Sequence, residues 1–227
     1  MLAVVVPAHN EERELDACLQ SLLRAARWPA LGGESVLFVV ALDSCTDRSE
    51  AVARRAGVDT VTVQARNVGL ARAAGADLAL ARGARWLAFT DADTVVAPNW
   101  LHAQLALRSE AVCGTVGVRD WGDYGAAMRQ HYAQTYNDAD GHHHIHGANL
   151  GVSADAYRRA GGFQPLASSE DVALVKALQA AGVRIAWSAA PRVTTSARRE
   201  FRAPDGFGAT LKRVDEQSRR LARPLPT

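Results

Sequence analysis

The stretch "WLAFTDADTVV", residues 86–96, places two acids, Asp91 and Asp93, directly after an apolar run. The run Trp86–Thr90 predicts a buried β-strand, so both carboxylates would lie at its carboxyl end. Two carboxylates a few ångströms apart repel by about 4 kcal/mol at an effective dielectric of about 20. A hard cation, Mg²⁺ or Mn²⁺, would offset this repulsion and keep coordination positions open for phosphate. The alternative without a ligand is a turn, in which both side chains accept hydrogen bonds from backbone N–H groups.

The sequence around this strand alternates between short apolar runs and helical patterns. Such alternation predicts an α/β fold, a mostly parallel sheet flanked by helices, in which ligands bind at the carboxyl ends of the strands. Strands are predicted at Ala3–Val6, Val36–Leu42, Thr60–Gln64, Trp86–Thr90 and Val112–Val118, and helices at Glu11–Ala26, Ser49–Ala56, Val68–Arg82 and from Pro98 to about Arg108.

After Asp120 the regular alternation gives way to aromatic residues, glycines and a histidine run, which predicts a second half built onto the sheet. No linker or repeat separates the halves, so a single domain over residues 1–227 is predicted. The predicted elements are a helix at Ala126–Tyr136, an irregular strand at Ile145–Val152, helices beginning at Asp155 and Glu170, and a last helix near Phe207–Leu221.

The composition excludes some classes of protein. The net charge is +2, from 26 basic and 24 acidic residues spread along the chain, so the dense basic surface that binds nucleic acid is not expected. Apolar stretches are far shorter than the roughly 20 residues that span a bilayer, which predicts a soluble, cytoplasmic protein. Three cysteines without a Cys-x-x-Cys spacing indicate reduced thiols, and Cys18 shares an apolar helical face.

Five segments occur in a fixed order: "VVVPAHNEE" at 4–12, "LDSCTDRS" at 42–49, "RNVGLARAAG" at 66–75, "FTDADT" at 89–94 and "SSEDVALVKAL" at 168–178. Together they resemble the family 2 glycosyltransferases, which have the GT-A fold, over roughly residues 4–195. The resemblance implies metal-assisted sugar transfer, with inversion, from a nucleoside-diphosphate sugar to a hydroxyl acceptor, a UDP-sugar being the leading donor candidate. It also implies a donor half at 1–119 and an acceptor half at 120–227. The Gln-x-x-Arg-Trp motif of processive synthases is absent from the sequence, which favours a non-processive enzyme, and the resemblance is to bacterial members of the family.

The resemblance assigns the donor site to the strand ends. Asp91 matches the acid that contacts ribose or sugar, and Asp93 matches the metal ligand. The alternatives are a helix cap for Asn10 and a turn for Asp43. Arg72 could also contact the donor, although an exposed helical arginine is the commoner outcome. The implied donor residues are Pro7, Ala8, His9, Asn10, Glu11, Asp43, Arg66, Asn67, Asp91, Ala92 and Asp93.

The acceptor site is assigned to the second half by the same resemblance. Asp171 matches the base that takes the acceptor proton, and Glu170 would orient hydroxyl groups, with helix capping as the alternative. His146 is the histidine best placed to bind metal, whereas a histidine run is more typical of a solvated loop. The implied acceptor and sugar residues are Gly147, Ala148, Asn149 and Arg198, and Gly151 is expected to let the backbone approach the ligand.

Three other functions are compatible with parts of the sequence. A haloacid dehalogenase type of phosphatase has a motif similar to "DADTV", but it needs a lysine before the later acids, and the two lysines here are Lys176 and Lys212. A sugar-phosphate nucleotidyltransferase would need a Gly-rich basic segment near the N-terminus, which "VVVPAHNEE" lacks. A catalytically silent nucleotide-sugar-binding module would keep the motifs without turnover. The basic stretch "LKRVDEQSRRLARP" predicts either a solvated helix face or a contact with an anionic membrane surface.

Overall fold

The computed structural model describes residues 1–121 and 124–196, and these residues form one eight-stranded sheet flanked by helices. The predicted helix near 207–221, Arg198 and the basic C-terminal stretch lie outside the described residues. In the described part of the chain, no helix is both long enough and apolar enough to cross a membrane.

The elements follow one another in this order: β1 (Leu2–Ala8), α1 (Leu15–Ala25), β2 (Val36–Asp43), α2 (Ser49–Arg55), β3 (Asp59–Val63), α3 (Val68–Ala81), β4 (Trp86–Phe89), β5 (Thr94–Val96), α4 (Trp100–Ala106), β6 (Ala111–Asp120), α5 (Ala126–Thr135), β7 (Leu150–Ser153), α6 (Ala154–Arg159), α7 (Glu170–Ala180) and β8 (Ile185–Ser196). Short 3₁₀ turns occupy Pro29–Leu31 and Gly147–Asn149.

The strand order of the sheet is β3-β2-β1-β4-β7-β6-β8-β5. The first four strands of this order are parallel, so β1, β2, β3 and β4 all end at the same edge. Strand β7 is antiparallel to β4 and pairs Leu150 with Phe89, so the Gly147–Asn149 turn before β7 arrives at that same edge. The topology therefore brings the segment after β4 together with the beginning of the second half.

The helices cover both faces of the sheet. One core cluster joins α1, α2 and α4 to the sheet through residues such as Leu19, Val52 and Trp100, and the other contains Ala76 of α3 and Leu174 of α7. Helix α3 lies very close to the sheet, since a Cβ on Gly75 would be 2.4 Å from Val5 Cγ1.

The strands and helices predicted in the first half are confirmed, with two helix starts shifted: α1 begins at Leu15 instead of Glu11, and α4 at Trp100 instead of Pro98. The α/β fold class is also confirmed. Two strands, β5 and β8, have no counterpart in the predicted elements. The last strand contains Pro191 in a register irregularity opposite β6, where proline does not interrupt the hydrogen-bond ladder.

The three cysteines are free thiols. Cys18 is fully buried in the core cluster of α1, as predicted. Its Sγ donates to the backbone oxygen of Asp91 at 3.4 Å, so α1 contacts the turn that follows β4.

Candidate active site

Arg72 is the centre of the polar cluster at the carboxyl edge of the sheet. It lies on the second turn of α3 with 3% of its surface exposed. One terminal nitrogen, Nη2, donates to Asp91 Oδ1 at 2.5 Å, and the other, Nη1, donates to Glu170 Oε1. Burial alone would lower the pKa of Arg72, but Asp91 and Glu170 raise it, so the guanidinium stays charged. The expectation of an exposed helical arginine is wrong at this position.

Glu170 lies beneath the site rather than at its surface. It is 5% exposed, and burial raises the pKa of its carboxyl group while the Arg72 guanidinium opposes that rise. A side chain in this position holds Arg72 and has little surface to offer to a substrate hydroxyl. The contact that the structure shows for Glu170 is its ion pair with Arg72, and a role in orienting hydroxyls stays a prediction.

Asp171, the next residue, is half-buried and faces the turn before β7. Its Oδ2 accepts from the backbone N–H of Gly147 at 2.7 Å, and its Oδ1 accepts from that of Val172 at 2.8 Å. Helix α7 begins after Ser169, whose side chain makes no capping hydrogen bond. Two backbone donors thus fix the orientation of the Asp171 carboxylate at the start of the helix.

Asp93 directly precedes β5 and contacts β8. Its Oδ1 accepts from Thr195 Oγ1 of β8 at 3.2 Å and from Thr94 Oγ1 at 3.5 Å. Carboxylate oxygen is the donor type that Mg²⁺ and Mn²⁺ prefer, so Asp93, with Asp91 beside it, fits such an ion. Among residues 1–121 and 124–196, no group of three or more His, Cys, Asp or Glu side chains is placed so that it could hold a metal ion by itself. Phosphate and water oxygens could serve as further ligands of a cation bound there.

Asp43 organises the loop between β3 and α3. Its carboxylate accepts hydrogen bonds from the backbone N–H groups of Ala65, Arg66 and Asn67 at 2.6–2.9 Å. Burial would raise the pKa of Asp43, but these N–H donors lower it. The turn-forming interpretation is confirmed, and contact with a nucleobase stays a prediction.

The segment after β1 is fixed by the loop that follows β2. Asn10 has φ of 56° and its Oδ1 accepts from the backbone N–H of Thr46 at 2.7 Å and of Asp47 at 3.2 Å. The Asn10 side chain therefore does not cap α1, and the capping alternative is wrong. His9 Nδ1 contacts the Asp43 backbone oxygen at 2.6 Å, while Glu11 is 7% exposed.

The other predicted donor residues differ in how much side-chain surface they expose to a ligand. Pro7 and Ala8 belong to β1 and pair with β2, and Ala92 is 3% exposed, so Ala8 and Ala92 offer little side-chain surface. Arg66 is exposed with φ of 47°. Asn67 caps α3 by accepting from Leu70 N at 2.9 Å and donates to the Leu166 backbone oxygen at 2.8 Å, so it ties α3 to the loop before α7.

The comparisons with known proteins identify the family and the fold of this chain. The family model described as "Glycosyl transferase family 2" matches residues 3–161. The chain belongs to glycosyl transferase family 2. No curated protein sequence matches it.

Solved structures similar to this family 2 chain include S. aureus TarS 1-349 in complex with UDP-GlcNAc, with a TM-score of 0.68 and 16% identity over 99% of this chain and 68% of that one. Glucosyl-3-phosphoglycerate synthase from Mycobacterium tuberculosis, in complex with Mn²⁺, UDP-glucose and phosphoglyceric acid, has a TM-score of 0.59 and 16% identity over 87% of this chain and 72% of that one. Mannosyltransferase PcManGT from Pyrobaculum calidifontis, in complex with GDP-Man and Mn²⁺, has a TM-score of 0.61 and 16% identity over 100% of this chain and 65% of that one. The chain spans 40% of a longer TarS structure. At these identities the likeness shows the GT-A fold.

The turn before β7 has a different role in this family 2 member from the one the sequence suggested. Asn149 is fully buried, and its amide accepts from Trp100 Nε1 and donates to the backbone oxygens of Thr115 and Pro191. Its side chain therefore holds the interior together and does not face an acceptor. Ala148 is also buried, with 7% of its surface exposed.

The glycines of this segment serve packing. A Cβ on Gly151 would be 2.4 Å from Gln104 Oε1, and one on Gly147 would be 2.4 Å from Arg72 Nη2. The expectation that Gly151 approaches a ligand is wrong, because the residue lies within β7 against α4. Gly147 is small because the Arg72 guanidinium lies directly against it.

The histidine run belongs to an aromatic cluster rather than to a solvated loop. His142 is fully buried, and His144 stacks on Tyr136 with ring centroids 4.2 Å apart. The Tyr136 hydroxyl accepts from Val116 N at 2.8 Å and also shares a hydrogen bond of 3.0 Å with His146 Nε2, whose direction depends on the His146 tautomer. Burial and the adjacent His144 lower the pKa of His146 to about 4, so its imidazole is neutral near pH 7. Metal binding by His146 stays a prediction.

Sequence reasoning missed the buried ion pairs of Arg72 and this aromatic cluster. Tyr132 and Tyr136 are four residues apart at the end of α5, and their rings stack with centroids 4.7 Å apart. The i, i+4 spacing of two tyrosines next to a histidine run is the signal that could have indicated the cluster. No comparable signal indicates a buried arginine within "GLARAAG".

Proposed function

We propose that this protein transfers a sugar from a nucleoside-diphosphate sugar to a hydroxyl group, with the help of a divalent cation and with inversion at the anomeric carbon. The observation that carries the proposal is that Arg72 joins the acid after β4, Asp91, to the acid pair at the start of α7. The donor motif and the base motif of the family therefore meet at one edge of the sheet. Residues 1–119 would bind the donor and residues 120–227 the acceptor.

Donor binding would use the ends of β1, β2 and β4. Asp93 would hold the cation with Asp91 beside it, and a bound cation would stabilise the negative charge of the departing diphosphate. The loops fixed by Asp43 and Asn10 would supply a preformed edge for the nucleoside. A UDP-sugar is the first donor to test and a GDP-sugar the second, since similar folds occur in complexes with both.

Asp171 would act as the base. The oxygen of the acceptor hydroxyl attacks the anomeric carbon, the bond from that carbon to the diphosphate oxygen breaks, and Asp171 takes the hydroxyl proton. Attack opposite the leaving group gives inversion. The N–H groups of Gly147 and Val172 would keep the carboxylate aimed at the acceptor while each oxygen retains a lone pair.

Binding can be tested separately from turnover. We would measure thermal shifts with UDP-, GDP- and TDP-sugars, with and without Mn²⁺, and count nucleoside diphosphate released. The wild type should be stabilised by one nucleotide class in a Mn²⁺-dependent way and should release the diphosphate. Asp93→Ala should lose the Mn²⁺-dependent stabilisation, whereas Asp171→Asn should keep it and lose turnover.

A matched control is available on α6. The Asp155 side chain is 81% exposed, so Asp155→Ala and Asp155→Asn should behave like the wild type in both assays. Full turnover in Asp171→Asn would refute the base assignment. Mn²⁺-dependent binding without any release of diphosphate from the wild type would favour the silent binding module.

The cellular location and a peripheral membrane contact remain predictions from the sequence. The basic stretch that suggests the contact lies in residues 197–227, outside the described part of the chain.

A further inference from the structure

The contacts of Arg72 extend beyond its two ion pairs. The guanidinium lies against the backbone of Gly147, as the position of a Cβ built there shows, and its Cζ is 5.7 Å from the centroid of the Phe163 ring. Four separate segments therefore enclose it: the turn after β4, the turn before β7, the loop before α7 and the first residue of α7. In a protein interior, such a cation needs several well-placed partners because burial removes its hydration.

Two of these contacts lead directly to Asp171. Glu170, which binds Nη1, precedes Asp171 in the chain. Gly147, which lies against the guanidinium, donates its N–H to Asp171 Oδ2 at 2.7 Å. The position of the Asp171 carboxylate thus depends on Arg72 through its own backbone and through its hydrogen-bond donor.

The third contact leads to the donor side. Asp91 Oδ1 lies 2.5 Å from Nη2, so the acid expected to contact the ribose or sugar is held by the same side chain. A guanidinium can hold two carboxylates in different directions because its nitrogens form a rigid planar fork. An ammonium group on a flexible stem cannot reproduce both directions.

We propose that Arg72 is a positioning residue that sets the Asp171 carboxylate relative to the donor acid Asp91. This inference rests on the proposed function and deepens it. Arg72 itself does not contact the reacting atoms, because 3% of its surface is exposed. Its removal should reduce the rate of the chemical step much more than donor affinity.

The first experiment measures kcat, donor KM and the dissociation constant of UDP with Mn²⁺ in Arg72→Met and Arg72→Lys. Since misplacing a reacting group by about 1 Å costs about 100-fold in rate, Arg72→Met should lose kcat by about that factor. The dissociation constant should change by less than about fivefold, because the nucleoside and cation contacts proposed for Asp43 and Asp93 do not involve Arg72. Arg72→Lys should recover part of kcat, since it restores the charge without the fork.

A double-mutant cycle distinguishes positioning from a purely structural role. If Arg72 acts through Asp171, then Arg72→Met should reduce the residual rate of Asp171→Asn by less than about threefold, because groups that act as a unit are not additive. A purely structural effect would multiply with the loss caused by Asp171→Asn. The matched control is Arg85→Met, which removes a partly exposed arginine that pairs with Glu34 and should leave kcat unchanged.

Each outcome has one meaning. If the wild type releases no diphosphate from any donor, the proposed function fails and Arg72 is not at issue. If the wild type turns over and the Arg72 variants keep kcat, lose mainly donor affinity, or give multiplicative effects with Asp171→Asn, the positioning role is refuted. Should Arg72→Met fail to fold, Arg72→Lys alone in the same cycle still supports or refutes the proposal.

Discussion

Replacing Asn149 with alanine tests whether this residue supports the fold or binds the acceptor. The buried amide joins three elements. Its oxygen accepts from Trp100 Nε1 of α4 at 2.9 Å. Its nitrogen donates to the backbone oxygens of Thr115 in β6 at 2.7 Å and of Pro191 in β8 at 2.8 Å. Asn149→Ala removes all three hydrogen bonds. One buried N–H group and two buried C=O groups then lose the partner that Asn149 provided.

The magnitude follows from these three groups. Each buried polar group that loses its partner costs about 1–3 kcal/mol, and the carbonyls can relax partly, so we expect a total loss of about 3–5 kcal/mol. For a chain of this size, each kcal/mol lowers Tm by about 2–4 °C, which gives a decrease of about 6–20 °C.

The assay is urea denaturation followed by tryptophan fluorescence, together with a thermal melt of the same samples. Asn99→Ala is the matched control, because Asn99 is partly exposed at the start of α4 and its side chain makes no capping hydrogen bond. The control should change stability by less than about 0.5 kcal/mol. A fully stable Asn149→Ala variant with a raised acceptor KM would refute this reasoning and restore the acceptor role that the sequence suggested.

Three further predictions concern packing and pH. Gly75→Ala should cost about 1–3 kcal/mol in urea denaturation, because its new Cβ would be 2.4 Å from Val5 Cγ1, whereas Gly125→Ala, with open space around it, should be tolerated. Asp43 has a lowered folded pKa, so the stability that it provides is complete above about pH 4 and is lost as pH falls further; Asp43→Asn should flatten this acid limb in a stability–pH curve. His146 has a folded pKa of about 4 against 6.5 for a free imidazole, so stability should decrease as pH falls from about 6.5 to about 4, and His146→Phe should remove that decrease in the same measurement.

The first half of the fold could be predicted because each element there carries a local signal. Strands such as Val36–Asp43 are continuous apolar runs, and the glycines at 57 and 83 follow the ends of α2 and α3 with positive φ. Parallel strands then place their following residues at one edge, which is why Asp91 and Asp43 were expected together. These inferences need no knowledge of distant contacts.

Strand β8 and the role of Asn149 could not be predicted in this way. The strand Ile185–Ser196 contains exposed positions and a proline, and it is stabilised by pairing with β6 and β5 rather than by its own pattern. Asn149 satisfies groups from positions 34 and 42 residues away in β6 and β8, and from Trp100. Long-range partners of this kind leave no mark in a local sequence pattern.

The two acids after β4 have different surroundings, and this changes the electrostatic argument that the sequence suggested. Asp91 has its counter-charge within the protein, because Arg72 lies 2.5 Å from its Oδ1. Asp93 accepts from the hydroxyl groups of Thr94 and Thr195, which orient its carboxylate. Repulsion between the two acids is therefore reduced without a cation, since one of the two charges is already paired. The proposed cation contact of Asp93 and the proposed alignment of Asp171 by Arg72 therefore involve different side chains, and Asp93→Ala and Arg72→Met test them independently.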